Sequence, residues 1–171
     1  MTIALGFICP DGVVLATDRR ISGGGTLTFG ETKTTQTRWK NGCAVISYAG
    51  HRDSWLSFCT ALSRCLGPNT EADESAFHSV LTQLLRALPK TKEGIALLCG
   101  YWMSEGPRLV KVDSSGVVPI QSSEVIGWGN SPLARYLLQR YENSPFRSVA
   151  QARIYGVNFI SQASRGTYYA P

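Results

Sequence analysis

Strand-like and helix-like segments follow one another in this chain in an order that few folds accommodate. Short apolar, β-rich segments joined by tight turns open the chain and return in its middle, and a pair of amphipathic helices follows each group. Turns this short join antiparallel neighbours, because parallel strands need long crossover connections. The order therefore predicts an α+β, four-layer α-β-β-α sandwich of two stacked antiparallel sheets, in one domain spanning residues 1–171.

Turn residues and hydrophobic spacing set the predicted element boundaries. Pro10-Asp11-Gly12, Gly23-Gly24-Gly25 and Asn41-Gly42 are turn sequences. Six threonines favour a strand over residues 26–39. Apolar residues at helical spacing predict helices over about 54–66, 74–88, 131–142 and 148–161. The predicted strands cover residues 2–9, 13–18, 26–39, 43–49, 95–103, 108–112, 117–121 and 125–127.

Composition and charge argue against several classes of protein. The chain is 43% hydrophobic and 17% charged, which suits a packed core and not a disordered chain. Its longest apolar run, residues 95–103, is shorter than the roughly 18 residues of a membrane span, and its N-terminus lacks the basic lead of a signal peptide. A net charge of +5 is mild, and Arg19-Arg20 is too small a patch for nucleic acid. We expect a cytoplasmic protein with no nucleic-acid or membrane partner.

Cysteine and histidine supply no recognisable metal or cofactor motif. The five cysteines are an odd number without CxxC spacing, which favours small core side chains in a reducing compartment. No phosphate loop, G-x-S-x-G or H-E-x-x-H sequence occurs, so no cofactor or metal is predicted. His51 and His78 lie outside any motif, and structural or surface roles are expected for both.

Several segments carry a family resemblance. Residues 11–20 read D-G-V-V-L-A-T-D-R-R and follow a threonine at position 2. Residues 47–53 read S-Y-A-G-H-R-D, and residues 127–129 read G-W-G. Together with the hairpin sequences at 98–116, these segments resemble the proteasome β-type subunits and bacterial proteasome-like peptidases, whose mature chains begin with threonine. The resemblance spans most of the chain and includes the helix order.

The resemblance implies an N-terminal-nucleophile (Ntn) hydrolase of the threonine peptidase type. Thr2 is then the nucleophile after removal of Met1, and its own α-amine is the base. An α-amine with a pKa of about 7.7–8.0 keeps a useful neutral fraction at neutral pH. Asp18 matches the aspartate that holds the family's lysine, and Gly50 matches the glycine whose N–H stabilises the oxyanion.

Other positions depart from the family pattern. Lys33 is the candidate lysine but falls one residue early, where Thr34 occupies the expected register. Lys33 can serve only if the turn at 23–25 is one residue shorter or a bulge resets the strand. Trp128 replaces the serine of the family's G-S-G, and whether Ser131 or Ser164 substitutes for it stays open.

Three functions are compatible with these residues. The favoured one is an active threonine-type endopeptidase. The others are an inactive subunit of the same fold with an assembly or binding role, and a hydrolase of another amide. The resemblance implies a ring-forming homo-oligomer of at least six chains acting on peptides or unfolded proteins, and it leaves open an ATP-driven unfoldase as a partner.

Overall fold

Strands and helices alternate much as predicted. The computed structural model describes residues 2–18, 20–23, 26–29, 32–91, 94–127, 136, 138–139 and 146–166. The strands in these ranges are β1 (Ile3–Cys9), β2 (Gly12–Thr17), β3 (Arg20–Gly23), β4 (Thr26–Phe29), β5 (Thr34–Trp39), β6 (Gly42–Gly50), β7 (Ile95–Met103), β8 (Gly106–Asp113), β9 (Gly116–Ile120) and β10 (Ser123–Gly127). The helices are α1 (Arg52–Cys65), α2 (Glu74–Ala87) and α3 (Val149–Gly166).

Two antiparallel sheets form the centre of the sandwich. One has three strands in the order β10-β1-β2, and the other has five in the order β5-β6-β7-β8-β9. Their facing sides meet in a cluster of buried apolar residues to which both sheets contribute: Ala4, Ala49, Leu98, Leu109 and Ile126. Strands β3 and β4 form a separate hairpin. The predicted stacking of two antiparallel sheets is confirmed.

The helices cover the outer sides of the sheets. Trp55, Phe58 and Leu62 on α1 and Phe77 on α2 are buried in one cluster with Trp39 and other side chains of the five-stranded sheet. On the other side, Tyr155 and Phe159 of α3 pack with Phe7 of β1. The apolar stripe that predicted each helix is therefore the face that contacts a sheet. Of the helix predicted over 131–142, Tyr136, Leu138 and Gln139 are helical, and its other residues lie outside the described part of the chain.

One predicted strand is wrong in its extent. Residues 26–39 were expected to form a single strand, but β4 ends at Phe29 and β5 begins at Thr34. The two pieces belong to different sheets, because β4 pairs with β3 and β5 pairs with β6. The sequence has a glycine at position 30, which weakens a strand interior. Lys33 thus lies outside the strand ladders, directly before β5.

The cysteines divide between the core and the surface. Cys9 and Cys99 are buried, as predicted, and burial raises the pKa of both thiols. Cys43 and Cys65 are exposed, so the core interpretation is wrong for these two. Cys65 is the last residue of α1, beyond the buried stripe of that helix. None of the helices in the described ranges has the length and apolar character needed to cross a bilayer.

Candidate active site

The pairing of β1 with β2 brings Thr2 and Asp18 to the same edge of the three-stranded sheet. Thr2 directly precedes β1 and Asp18 directly follows β2, and the two strands are antiparallel neighbours. The Ile3 amide donates to Asp18 Oδ1 at 2.9 Å, and the Asp18 amide donates to the Ile3 carbonyl at 3.1 Å. The backbone beside Thr2 is therefore fixed to Asp18 in both directions.

Lys33 joins these two residues through its ammonium group. Lys33 Nζ donates to Asp18 Oδ1 at 3.0 Å and to Thr2 Oγ1 at 3.0 Å. Lys33 is only 1% exposed and Asp18 only 7%. Such burial is costly for a charge unless the group is paired and hydrogen-bonded, as both are here. The three side chains form one connected polar cluster.

The position of Lys33 outside a strand removes the register problem raised by the sequence. Side chains alternate between faces only within a strand, and Thr34 is the first residue of β5, paired with Ser47. Lys33 precedes that ladder, so its direction is not set by the alternation of β5. From its position before β5, the Lys33 side chain places its ammonium group against Thr2 and Asp18.

This arrangement can stabilise negative charge on the Thr2 oxygen. A cation held within hydrogen-bonding distance favours the deprotonated form of the group it faces, more strongly in a site screened from water. Asp18 holds the ammonium in place and balances its charge. The cluster contains no imidazole, so a base for the Thr2 hydroxyl has to come from elsewhere, such as a free α-amine on the same residue.

Gly50 ends β6 in a conformation that favours glycine. Its φ is +124°, and a Cβ at this position would lie 2.3 Å from the Gly94 carbonyl oxygen. Gly50 is paired with Ile95 at the start of β7. The chain passes the backbone at Gly94 so closely that no side chain fits.

Gly127 is a residue of this region that the sequence reasoning missed. Its φ is +80°, and a Cβ there would lie 2.1 Å from the Thr2 carbonyl oxygen and 2.9 Å from Ala49 Cβ. Thr2, Gly127 and the end of β6 are therefore neighbours, which brings Gly50 to the same region. The sequence contains a signal for this residue, because Gly127 is the first glycine of the G-W-G at residues 127–129.

Several candidate residues lie outside the described part of the chain or away from the cluster. Met1, Trp128 and Ser131 are not among the described residues, and Ser164 lies in α3 with its side chain undescribed. His51 caps α1, and His78 bonds to Tyr101 at the end of β7 farthest from Gly50. In the ranges covered by the structure, no three His, Cys, Asp or Glu side chains are grouped as metal ligands.

Solved structures with the same fold include Anbu proteins. Anbu (ancestral beta-subunit) from Yersinia bercovieri aligns with a TM-score of 0.79 and 18% identity over 95% of this chain and 75% of its own. The Anbu (Gly-1) mutant from Hyphomicrobium sp. strain MC1 aligns with a TM-score of 0.78 and 16% identity, over 96% of this chain and 75% of its own. The structure described as the Helical Assembly of the Anbu Complex from Pseudomonas aeruginosa aligns with a TM-score of 0.69 and 16% identity, over 91% of this chain and 71% of its own. No family model and no curated protein matches the chain.

These neighbours correct the family suggested by the sequence. The assignment to proteasome β-type subunits is wrong, because the matching structures are Anbu proteins, a distinct family, and no family model supports the β-type assignment. The Asp11-Gly12 turn illustrates why these motifs do not fix a family, because it joins β1 to β2 and a tight turn of this kind suits antiparallel hairpins in general. The chain has the proteasome-like Ntn fold that its Anbu neighbours share.

Proposed function

We propose that the chain is a threonine-type amide hydrolase that cleaves peptide bonds with Thr2 as nucleophile once Met1 has been removed. The observation that carries this proposal is the buried Lys33 ammonium, 3.0 Å from both Thr2 Oγ1 and Asp18 Oδ1. The fold shared with Anbu proteins supports hydrolase chemistry of the Ntn class.

The proposed reaction begins at the Thr2 hydroxyl. The free α-amine of Thr2 takes the hydroxyl proton while Oγ1 forms a bond to the carbonyl carbon of the substrate. The Gly50 N–H donates to the resulting oxyanion, and the Lys33 ammonium stabilises charge on Oγ1. The carbon–nitrogen bond then breaks, and the leaving amine takes the proton from the α-ammonium. Water hydrolyses the acyl-threonine ester, with the α-amine again as base.

The buried ion pair supports an active site over an inactive subunit. Burying Lys33 and Asp18 costs solvation that hydrophobic residues of similar volume would not cost. An inactive subunit has no use for a cation against the Thr2 hydroxyl. The presence of all three polar groups in one contact therefore supports a working site over an assembly role alone.

The proposed substrate is a peptide or unfolded protein, and the proposed working form is a ring-forming homo-oligomer of at least six chains. A closed assembly keeps a peptidase away from folded proteins. The Anbu complex from Pseudomonas aeruginosa is described as a helical assembly, which supports self-association in this fold. An ATP-driven unfoldase is the corresponding candidate for substrate delivery.

The test is turnover of fluorogenic peptides by protein whose intact mass confirms that it begins at Thr2. Thr2→Ala should abolish turnover, because it removes the nucleophile. Thr2→Ser should keep part of the activity, and Asp18→Asn should cost less than Thr2→Ala. Thr60→Ala, at an exposed threonine of α1, is the matched control and should leave the rate unchanged.

Three results would contradict the proposal. Processed wild-type protein without turnover would favour the inactive subunit, and a Thr2→Ala variant as active as wild type would exclude Thr2. Cleavage of small non-peptide amides but not of peptides would instead identify a hydrolase of another amide.

A further inference from the structure

His51 occupies a position that couples the start of α1 to Gly50. It is the N-cap residue of α1, with φ −72° and ψ 126°, and it directly follows Gly50. Its Nδ1 accepts from the Ser54 amide at 3.4 Å and lies 3.2 Å from Ser54 Oγ. Histidine is not among the residues that helices prefer at this position, which are Ser, Thr, Asp and Asn. Helix propensity alone does not account for this choice.

The cap is part of a set of bonds that hold residue 51 from three sides. The His51 amide donates to the Gly94 carbonyl at 3.2 Å, and the His51 carbonyl accepts from the Trp55 amide at 3.2 Å. The ring supplies the third bond, to Ser54. The peptide unit that joins Gly50 to His51 is therefore fixed between Gly94, which directly precedes β7, and the first turn of α1. The Gly50 N–H belongs to the preceding peptide unit, and its direction relative to the fixed one is set by the φ and ψ angles of Gly50.

Gly50 depends on this support, because it has no side chain of its own to hold it. Gly50 has a φ of +124°, and a Cβ on it would lie 2.3 Å from the Gly94 carbonyl oxygen, so no side chain can be accommodated. Only contacts of the backbone can therefore hold this residue in place. Glycine also has the widest conformational freedom of any residue, so an unrestrained glycine at this point would sample many orientations. A hydrogen-bond donor that serves an oxyanion has to be fixed before the reaction begins.

We propose that His51 is a positioning residue that orients the Gly50 N–H toward the oxyanion by capping α1. The inference rests on the proposed hydrolase function and adds to it a residue that does not touch substrate. Its action requires only a hydrogen-bond acceptor at the His51 side chain, so a neutral capping residue can replace it.

The chain offers a matched control for this proposal. Helices α1 and α2 both have 14 residues, and Asp73 caps α2 by accepting from the Ala76 amide at 2.7 Å. Asp73→Ala and His51→Ala each remove one helix cap, but only His51 adjoins Gly50. Loss of a cap should lower the melting temperature of either variant by about 2–4 °C.

The test compares steady-state kinetics of these variants in processed protein. His51→Ala should lower kcat by about 10- to 100-fold with KM within about twofold, because a displaced donor weakens transition-state binding. His51→Asn and His51→Ser, which restore an acceptor, should return kcat to within about threefold of wild type. Asp73→Ala should leave kcat unchanged, although it should lower the melting temperature about as much as His51→Ala does.

The outcomes separate this inference from the function on which it rests. Wild-type protein without turnover overturns the proposed function, and the role of His51 falls with it. Active wild type with an equally active His51→Ala variant overturns only the positioning role. The positioning role is also overturned if folded His51→Asn and His51→Ser fail to restore kcat, or if Asp73→Ala lowers kcat as much as His51→Ala does.

Discussion

Lys33 and Asp18 each carry a charge into the interior, where each depends on the other. Lys33→Met leaves the Asp18 carboxylate buried without this cation, and removing one partner of a buried pair costs about 3–5 kcal/mol. Urea unfolding should show this loss. Adding Asp18→Asn removes the buried carboxylate charge and should restore much of the stability but no turnover, since the Lys33 ammonium that contacts Thr2 is still missing. A double variant no more stable than Lys33→Met would contradict this account.

Gly127 limits where the Thr2 backbone can lie. Gly127→Ala places a Cβ 2.1 Å from the Thr2 carbonyl oxygen, in addition to the strain of a positive φ. Gly116→Ala is the matched control, because Gly116 also has a positive φ, +128°, but open space around it. We expect Gly116→Ala to cost about 1 kcal/mol and Gly127→Ala at least about 2 kcal/mol more, measured by urea unfolding. If the two variants lost the same free energy of unfolding, the backbone at Thr2 would have to move aside for the new Cβ without an energetic cost.

At the scale of elements, the D-G turn that contributed to the family resemblance holds a helix. Asp11 Oδ1 accepts from the Val149 amide at 2.8 Å, so the β1–β2 turn caps α3 from 138 residues away. Asp11→Ala should lower the free energy of unfolding by about 1 kcal/mol, and Asp11→Asn should lower it much less, because asparagine also caps helices. Thermal unfolding of both variants measures the difference. Equal losses would assign the effect to the charge of Asp11 and not to its hydrogen bond.

Helix α2 is attached to the five-stranded sheet through a buried tyrosine. Tyr101 donates its hydroxyl to Glu74 Oε1 at 2.6 Å and lies 2.9 Å from His78 Nε2, which donates to it. Burial raises the pKa of Tyr101, and Arg108 opposes this. Burial lowers the pKa of His78 below its ordinary value of about 6.5, although Glu74 attracts the charged form.

This arrangement predicts acid destabilisation through His78. Because the folded state favours the neutral ring, its contribution to stability is present above about pH 6.5 and is lost as the pH falls through the lowered pKa. The melting temperature of wild type should therefore fall more between pH 7.5 and 5.5 than that of His78→Gln, which keeps a donor for Tyr101 but does not titrate. Parallel curves for the two proteins would exclude this role of His78.

The sequence predicted elements whose pattern is local and missed contacts that join distant segments. Helices α1 and α2 follow directly from apolar spacing, since each buries the stripe that predicts it. The break between β4 and β5 was missed because threonines favour a strand on both sides of it. Thr2 and Asp18 were singled out by the family resemblance, and the β1–β2 hairpin that the turn sequence at 10–12 predicts brings them to one edge of the sheet.

The approach of Gly127 to Thr2 depends on the pairing of β1 with β10, which no local pattern specifies. Lys33 was uncertain for a related reason. Its side chain reaches Asp18 only because it lies outside the ladder of β5, and strand alternation cannot describe such a residue.

For the whole molecule, the exposed face of α3 is the expected site of contact between copies of the chain. Ile154 and Val157 are 68% and 69% exposed and lie one helical turn apart. Light scattering should give a mass at least six times the 18.6 kDa of one chain. Ile154→Glu with Val157→Glu should dissociate the assembly, whereas Leu56→Glu, at an exposed residue of α1, should leave it intact. A wild-type mass near that of one chain would exclude self-association.

The central place of β1 in the three-stranded sheet also determines when the Thr2 region can form during synthesis. Strand β1 leaves the ribosome before both of its partners, and it pairs with β2 on one side and with β10 on the other. The register Ile3↔Gly127 completes the backbone around Thr2, so that backbone has one open side until residue 127 has been translated and released. While the chain is being synthesised, the backbone around Thr2 therefore stays incomplete until strand β10 has emerged, which lies more than a hundred residues further along.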